Sequence, residues 1–248
     1  MEDHFLIEVK LKRDEIDSFN NYPFCLNSVK SLVSLKMHPA VTFFIGENGS
    51  GKSTLLEAIA VAAGFNPEGG TKNFKFGTRE SHSKLWRYIR LSRGVKRPRD
   101  GYFLRAESFF NVATEIEKLD AESSFGPPVI DSYGGVSLHE QSHGESFWSL
   151  VMKRFGGQGL YILDEPEAAL SPNKQMALIT RIHDLVLNGS QFIIATHSPI
   201  IMSYPGSTLY QLAENDISTV KYEDTEHFLV TKEFLNNHER MLSILMEG

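Results

Sequence analysis

The order of apolar and polar positions along the chain predicts strands that alternate with helices. Residues 41–45 form a nearly continuous apolar run, and a glycine-rich turn at 46–51 separates it from a helical stretch at 52–63. Two more apolar runs, at 160–163 and 192–195, are followed directly by polar residues. Buried parallel strands that carry functional residues at one sheet edge have this pattern.

A crossover helix is predicted between the last two runs. Ser171 is a typical N-cap, Pro172 suits the first helical position, and Asn188-Gly189 ends the segment. Apolar residues recur between them at helical spacing: Met176, Ile179, Ile182 and Val186. Strand, helix and strand form a βαβ unit, so we predict an α/β fold with a mainly parallel central sheet flanked by helices.

The remaining segments add a β region and an inserted lobe. Residues 5–12 alternate as a strand, and 85–91 and 102–105 suggest a hairpin that turns at 98–101. Residues 209–212 suggest a strand, and 232–245 have the apolar spacing of a helix. We predict one domain over 1–248, made of an N-terminal β region (1–40), a core (41–66 and 156–248) and an inserted lobe (67–155).

Composition narrows the class of protein. Hydrophobic residues make up 41% of the 248 residues and charged residues 23%, as in soluble globular domains. The net charge of −6 gives no global attraction to nucleic acid or anionic membrane. A single cysteine, Cys25, excludes an internal disulfide. No apolar run approaches the roughly 20 residues that span a bilayer, and the first residues lack the apolar core of a signal peptide, so we expect a cytoplasmic protein without a membrane segment of its own.

The turn after the first buried run fits the phosphate-loop pattern GxxxxGK[ST] in full and lies between strand and helix, as that motif requires. Its glycines let backbone N–H groups turn toward phosphates, and the helix N-terminus adds its positive end. Lys52 is expected to reach the β- and γ-phosphates of ATP, and Ser53 to offer its hydroxyl to Mg²⁺. The predicted nucleotide-binding residues here are Gly46, Glu47, Asn48, Gly49, Ser50, Gly51, Lys52, Ser53 and Thr54.

Two adjacent carboxylates end the apolar run 160–163. Neighbouring side chains on a strand point in different directions, so Asp164 and Glu165 can take different roles. We expect Asp164 to hold Mg²⁺ or its water and Glu165 to polarise the attacking water as general base. An apolar strand that ends in Asp-Glu can also be merely a solvated strand end.

Residues 41–199 resemble the ABC ATPase superfamily, because further motifs follow in that family's order. Ser142-His143-Gly144-Glu145 resembles the ABC signature before a helix at 145–154, although His143 replaces the usual glycine. In the family the signature serine and glycine contact the γ-phosphate bound by the other subunit, so the resemblance implies such roles for Ser142 and Gly144. Ser142 could instead only cap the helix.

The segment Thr196-His197-Ser198-Pro199 is similar to the family's switch-histidine loop. The resemblance implies that His197 reaches the γ-phosphate and orients Glu165 and the water; a histidine at a strand end can also be structural. Residues 168–171 occupy the place of the D-loop. Their sequence looks like that of stand-alone soluble ABC-like ATPases rather than transporters.

Other positions are less specific. Glu107 stands where the family's Q-loop glutamine belongs and could meet Mg²⁺, or it could be a surface glutamate. Tyr22 and Phe24 precede the phosphate loop and could stack on adenine, or pack in the core. Basic residues between 87 and 99 could bind nucleic acid, but a solvated hairpin fits the acidic chain better.

Together these features predict an ATPase that requires ATP and Mg²⁺ and acts as an ATP-dependent dimerisation switch. Two copies would sandwich two nucleotides, and an unidentified effector protein could receive the motion. A transporter's nucleotide-binding subunit and an ATPase of nucleic-acid maintenance or defence are the alternatives. Only about 90 residues separate Lys52 from Ser142, without sustained heptads, which excludes the long coiled coil of SMC proteins.

Overall fold

The computed structural model describes residues 4–72, 83–105, 109–121, 127–214 and 216–247. The strands are β1 (Leu6–Leu11), β2 (Ser34–Lys36), β3 (Val41–Ile45), β4 (Ile89–Arg93), β5 (Asp100–Arg105), β6 (Gly159–Asp164), β7 (Gln191–Ala195), β8 (Thr208–Leu212) and β9 (Ile217–Val220). The helices are α1 (Asn27–Ser31), α2 (Lys52–Ala63), α3 (Phe109–Ala121), α4 (His143–Ser149), α5 (Pro172–Leu187), α6 (Glu226–Asn236) and α7 (His238–Met246).

The central sheet has the strand order β5-β6-β7-β3-β8-β9, and every neighbouring pair is parallel except β8 and β9. Every residue of β3, β6 and β7 is buried, which confirms the three parallel strands predicted from their apolar runs. Asp164 pairs in register with Ala195, and Ala195 with Phe44. The segments that follow these three strands therefore leave the sheet at one edge, side by side.

Helices and a second sheet cover the two faces of the central sheet. Side chains alternate along each strand, so that Phe43 packs into one core with α3, α4 and α5, whereas Phe44 packs into the other with α2 and the N-terminal sheet. The α/β fold with a mainly parallel sheet and an N-terminal β region is confirmed.

The N-terminal sheet corrects the predicted hairpin. Its order is β2-β1-β4 with antiparallel pairs, and β5 instead pairs parallel to β6 at the edge of the central sheet. The physical reason is burial: the middle four residues of β5 are all buried, which requires a strand covered on both faces. β4 and β5, the two strands described within 67–155, thus belong to sheets, and the division of the chain into lobes stays a prediction.

Helix boundaries follow the capping residues. α5 begins after Ser171, whose side chain accepts a hydrogen bond from Lys174 N, and it agrees with the predicted crossover helix. The single helix predicted over 232–245 is wrong, because α6 and α7 are separated at Asn237, whose backbone is not helical. The helix predicted over 145–154 begins earlier, as α4, and continues into a π-helical turn at Leu150–Arg154. None of the described helices is long and apolar enough to cross a membrane.

Candidate nucleotide-binding site

The loop between β3 and α2 has a backbone that only glycine adopts easily. Gly46, Gly49 and Gly51 have φ of 143°, 80° and 92°. A Cβ on Gly46 would lie 2.5 Å from the carbonyl oxygen of Leu212, so a side chain cannot enter there without moving the backbone. Gly64 ends α2 in the left-handed conformation, as its sequence position predicts. The sequence thus folds this segment as a tight loop that leads into a helix N-terminus.

Lys52, the first residue of α2, lies back across this loop. Its Nζ donates hydrogen bonds of 2.8 Å to the carbonyls of Gly46 and of Glu47. Burial lowers the pKa of Lys52, while the carboxylates of Glu165 and Asp164 act in the opposite direction. A polyphosphate at this loop would supply the negative charge that favours the ammonium form.

The predicted metal ligands Ser53 and Asp164 are brought together. Ser53 Oγ donates a 3.0 Å hydrogen bond to Asp164 Oδ1, across the gap between α2 and the end of β6. Arg105, at the end of β5, lies 3.9 Å from the other Asp164 oxygen through its Nε and forms a 2.6 Å ion pair with Glu57. A hydroxyl and a carboxylate oxygen suit Mg²⁺, which keeps several waters and uses few protein ligands.

Glu165 and His197 face each other at the carboxyl ends of β6 and β7. His197 Nε2 lies 3.6 Å from Glu165 Oε1, and the Glu165 side chain is 42% exposed. Glu165 has a left-handed backbone, with φ of 50°, and its N–H donates to Ala195 O. Backbone strain in a non-glycine residue is typical of functional sites. Burial, followed by the charge of Lys52, lowers the pKa of His197, so its imidazole is neutral at pH 7.

Glu167 and His227 were missed by the sequence reasoning. The partly buried carboxylate of Glu167 accepts hydrogen bonds from Thr196 Oγ1 (2.8 Å) and from the backbone N–H of His197 (2.5 Å). Burial raises the pKa of Glu167, against the effect of the His197 N–H. His227, at the start of α6, lies 3.1 Å from His197 through ring nitrogens. The motif Asp-Glu-Pro-Glu could have pointed to Glu167, whereas His227 comes to the site only through the tertiary structure and has no sequence signal.

Three buried polar atoms near the loop make no hydrogen bond within the described residues. Within the described segments, Ser28 Oγ, Ser50 Oγ and His197 Nε2 are buried without a hydrogen-bond partner. A buried group left in this state costs about 1–3 kcal/mol. A cavity of about 540 Å³ opens beside the loop, lined by 25–27, 45–50, 211–214, Glu226 and His227. Of these three residues only Ser50 lines the cavity, and a phosphate oxygen there would accept a hydrogen bond from its hydroxyl, so this part of the loop fits a phosphate group.

The signature-like residues lie apart from the phosphate loop. Ser142 donates to the Glu145 carboxylate from its backbone N–H (3.0 Å) and its hydroxyl (2.6 Å), as an N-terminal cap of α4. Gly144 packs against the D-loop, because a Cβ there would lie 2.8 Å from Ala169 O, and its carbonyl accepts a bond from Lys174. In the described part of this single chain, no hydrogen bond joins Ser142 or Gly144 to the phosphate loop.

The remaining candidates divide between core and surface. Phe24 packs edge-on against Tyr88, with ring centroids 4.9 Å apart, as a core aromatic does. Tyr22 is 64% exposed, and its hydroxyl lies 3.5 Å from Thr54 Oγ1 at the start of α2. Tyr22 is therefore the better placed of the two for stacking on a base. Glu107 lies outside the described residues, so its predicted metal role stays a prediction.

Two family models and one curated protein match parts of the chain. A family model described as an AAA domain matches residues 15–124, and one described as an AAA ATPase domain matches 147–202. The ABC transporter G family member STR2 of Medicago truncatula is 27% identical over 175 residues, 64% of this chain. Those residues correspond to 24% of STR2, so the chain spans about a quarter of that relative's length.

One of the similar solved structures shares the fold. An ATP-binding cassette of an ABC transporter superposes with a TM-score of 0.54 at 16% identity, over 94% of this chain and 98% of the cassette. An SMC head domain from Thermotoga maritima has a TM-score of 0.42 at 15% identity, over 87% of this chain and 98% of that domain. The complete phosphate loop and the two AAA matches indicate an AAA/ABC-type P-loop ATPase domain, and the cassette shows the same fold.

Proposed function

We propose that this chain binds MgATP and hydrolyses it to ADP and phosphate. The observation that carries the proposal is that three sets of side chains lie at one edge of the central sheet. They are Lys52 on its loop, Ser53 with Asp164, and Glu165 with His197. Each supplies a different requirement of phosphoryl transfer, namely charge on the phosphates, oxygen ligands for a metal, and a base for water.

The roles follow from these positions. Lys52 and the loop N–H groups bind the β- and γ-phosphates, and Ser53 and Asp164 hold Mg²⁺, which when bound neutralises charge on the transferring phosphate. Glu165 accepts a proton from the attacking water, whose oxygen forms the new bond to the γ-phosphorus as the bond to ADP breaks. His197 donates Nε2–H to the γ-phosphate. The Glu165 side chain is 42% exposed, so water can reach its carboxylate.

We further propose that the working site is composite. Gly144 packs against the D-loop of its own chain, and the phosphate loop of a second copy is the surface proposed to meet Ser142 and Gly144. Within one chain a path of contacts runs from Gly144 to Ala169 and, through Glu167, to the backbone of His197. Closure of two copies around ATP could therefore shift the position of His197 through this path of contacts. ATP would shift a monomer–dimer equilibrium by mass action.

A transporter's nucleotide-binding subunit is the second candidate, favoured by the similarity to the ABC transporter STR2 and to the ABC transporter cassette that shares the fold. Both candidates use the same chemistry. They differ in the partner, because a transporter subunit requires a second chain that spans the membrane, whereas the switch closes with purified protein alone. ATP-dependent dimerisation without any added protein would favour the switch.

The test combines a base variant with a mixing experiment. Glu165→Gln should bind MgATP, lose about 10²- to 10⁴-fold in turnover, and gain dimer mass in light scattering with MgATP. Turnover within a few-fold of wild type would remove Glu165 as the base.

The mixing experiment tests the composite site. Ser142→Arg should bind ATP but neither dimerise nor hydrolyse it, and Lys52→Ala should be inactive. A mixed dimer has one intact composite site, so mixing the two inactive variants should restore phosphate release. Normal hydrolysis by monomeric Ser142→Arg would contradict the sandwich and leave a single-chain ATPase.

A further inference from the structure

A second histidine lies directly behind the switch histidine. His227 Nε2 is 3.1 Å from His197 Nδ1, and the two rings have centroids 5.3 Å apart at an angle of 56°. His227 also lines the cavity beside the phosphate loop. The pair therefore joins α6, from the C-terminal part of the chain, to the end of β7.

The hydrogen bond between the rings can be made in two ways, and the surroundings of His197 favour one. Burial lowers the pKa of both imidazoles, so each is neutral at pH 7 with one N–H and one lone pair. A proton on His197 Nδ1 would leave the lone pair of Nε2 directed at the Glu165 carboxylate 3.6 Å away. A proton donated by His227 Nε2 leaves the hydrogen of His197 on Nε2, facing that negative charge.

A helix cap, a ring contact and a hydrogen bond hold the start of α6, and with it His227, in position. Thr225 caps the helix, is fully buried, and accepts a hydrogen bond from Phe228 N. The rings of Tyr222 and Phe228 are tilted against each other, with centroids 4.8 Å apart, and the Tyr222 hydroxyl donates to the carbonyl of Pro199, two residues after His197. The loop that carries His197 and the helix that carries His227 are thus tied together beside the pair.

We propose that His227 is a positioning residue that donates Nε2–H to His197 Nδ1 and thereby fixes the tautomer in which His197 Nε2–H faces the γ-phosphate. This inference rests on the proposed hydrolysis of ATP at this site. A partner on the far ring nitrogen commonly fixes the tautomer and orientation of a functional histidine. His227 itself does not touch the reacting atoms.

The experiment compares His227→Leu, which lacks a donor, with His227→Gln, whose amide N–H can occupy the place of Nε2–H. Nitrogen-15 NMR of the imidazoles should show the His197 proton on Nε2 in the wild type and the Gln variant, and a mixture of tautomers in the Leu variant. Turnover of His227→Leu should fall about 10- to 100-fold, the range for loss of such partners, with little change in KM. His227→Gln should keep most of the wild-type kcat.

His183→Leu is the matched control. His183, on α5, is an exposed histidine whose ring nitrogen lies 3.1 Å from the Tyr204 hydroxyl. Its loss should leave the His197 signals and kcat unchanged. A wild-type His197 proton on Nδ1, or a His227→Leu protein with unchanged His197 signals and kcat, would overturn the proposal. The NMR result requires no turnover, so inactive wild-type protein would contradict the proposed hydrolysis without affecting the tautomer test.

Discussion

Replacement of Glu167 tests whether the D-loop and the switch-histidine loop are physically joined. Glu167→Ala removes the acceptor of two hydrogen bonds, from the fully buried Thr196 hydroxyl and from the N–H of His197. A buried donor without an acceptor costs about 1–3 kcal/mol, so two would cost about 2–6 kcal/mol. Part of this is offset, because burial of the carboxylate is itself unfavourable. We expect the free energy of unfolding to fall by about 2–4 kcal/mol.

Glu167→Gln is the matched control, because it keeps one oxygen acceptor and a group of the same shape. Its amide can accept from His197 N–H and donate to Thr196 Oγ1, so its unfolding free energy at pH 7 should stay within about 1 kcal/mol of wild type. The raised pKa of Glu167 also predicts a characteristic pH dependence of stability. The native state holds its proton more tightly than the unfolded state does, so its contribution to stability is present at low pH and is lost as pH rises through the folded pKa.

The assay is urea unfolding followed by circular dichroism, from acidic to neutral pH. Relative to Glu167→Gln, the wild type should gain stability as the pH is lowered below neutrality. Turnover of MgATP by Glu167→Ala should fall mainly in kcat, because the backbone of His197 loses its anchor. Equal stabilities of the Ala and Gln variants, with unchanged kcat, would refute the link between the two loops.

Two further predictions concern the loop and its histidines. Gly46→Ala should lower the free energy of unfolding by at least about 1–3 kcal/mol from backbone strain alone, and should weaken MgATP binding, because its Cβ would meet Leu212 O. Gly49→Ala should cost less, because no atom lies within 4 Å of its Cβ. Equal calorimetric affinities and melting temperatures of the two variants would contradict this prediction. Burial lowers the pKa of His197 and of His227, so the unfolded state binds more protons and stability should fall as pH drops below about 6.5, by at most about 1.4 kcal/mol per pH unit for each histidine. Replacing both by Gln should flatten the pH profile of urea unfolding, and an unchanged slope would count against these pKa shifts.

Continuous apolar runs allowed the central strands to be predicted almost to the residue. β3 and α2 have the boundaries that the apolar run and the phosphate-loop motif indicate. Such runs have one stable arrangement, buried on both faces, so local pattern and tertiary environment agree. The loop after β3 and the pairing of Ser53 with Asp164 follow from the same agreement.

The errors arose where tertiary contacts decide. β4 and β5 looked like a hairpin because a turn-rich segment joins them, yet the burial of β5 places it beside β6. The break between α6 and α7 at Asn237 was missed, because the apolar spacing continues across it although the backbone leaves the helical region. His227 lies 30 residues beyond His197, and no local pattern shows that the two rings meet.

Titration calorimetry of MgATP into the wild-type protein and Lys52→Ala tests the central claim most directly. Lys52 lies on the phosphate loop, and its ammonium bonds only to the loop carbonyls of Gly46 and Glu47 among the hydrogen bonds that the described residues show. The wild type should bind one MgATP per chain, and Lys52→Ala should bind none measurably while its urea unfolding remains cooperative. Wild-type affinity in a folded Lys52→Ala protein would contradict the assignment of this loop as the nucleotide site.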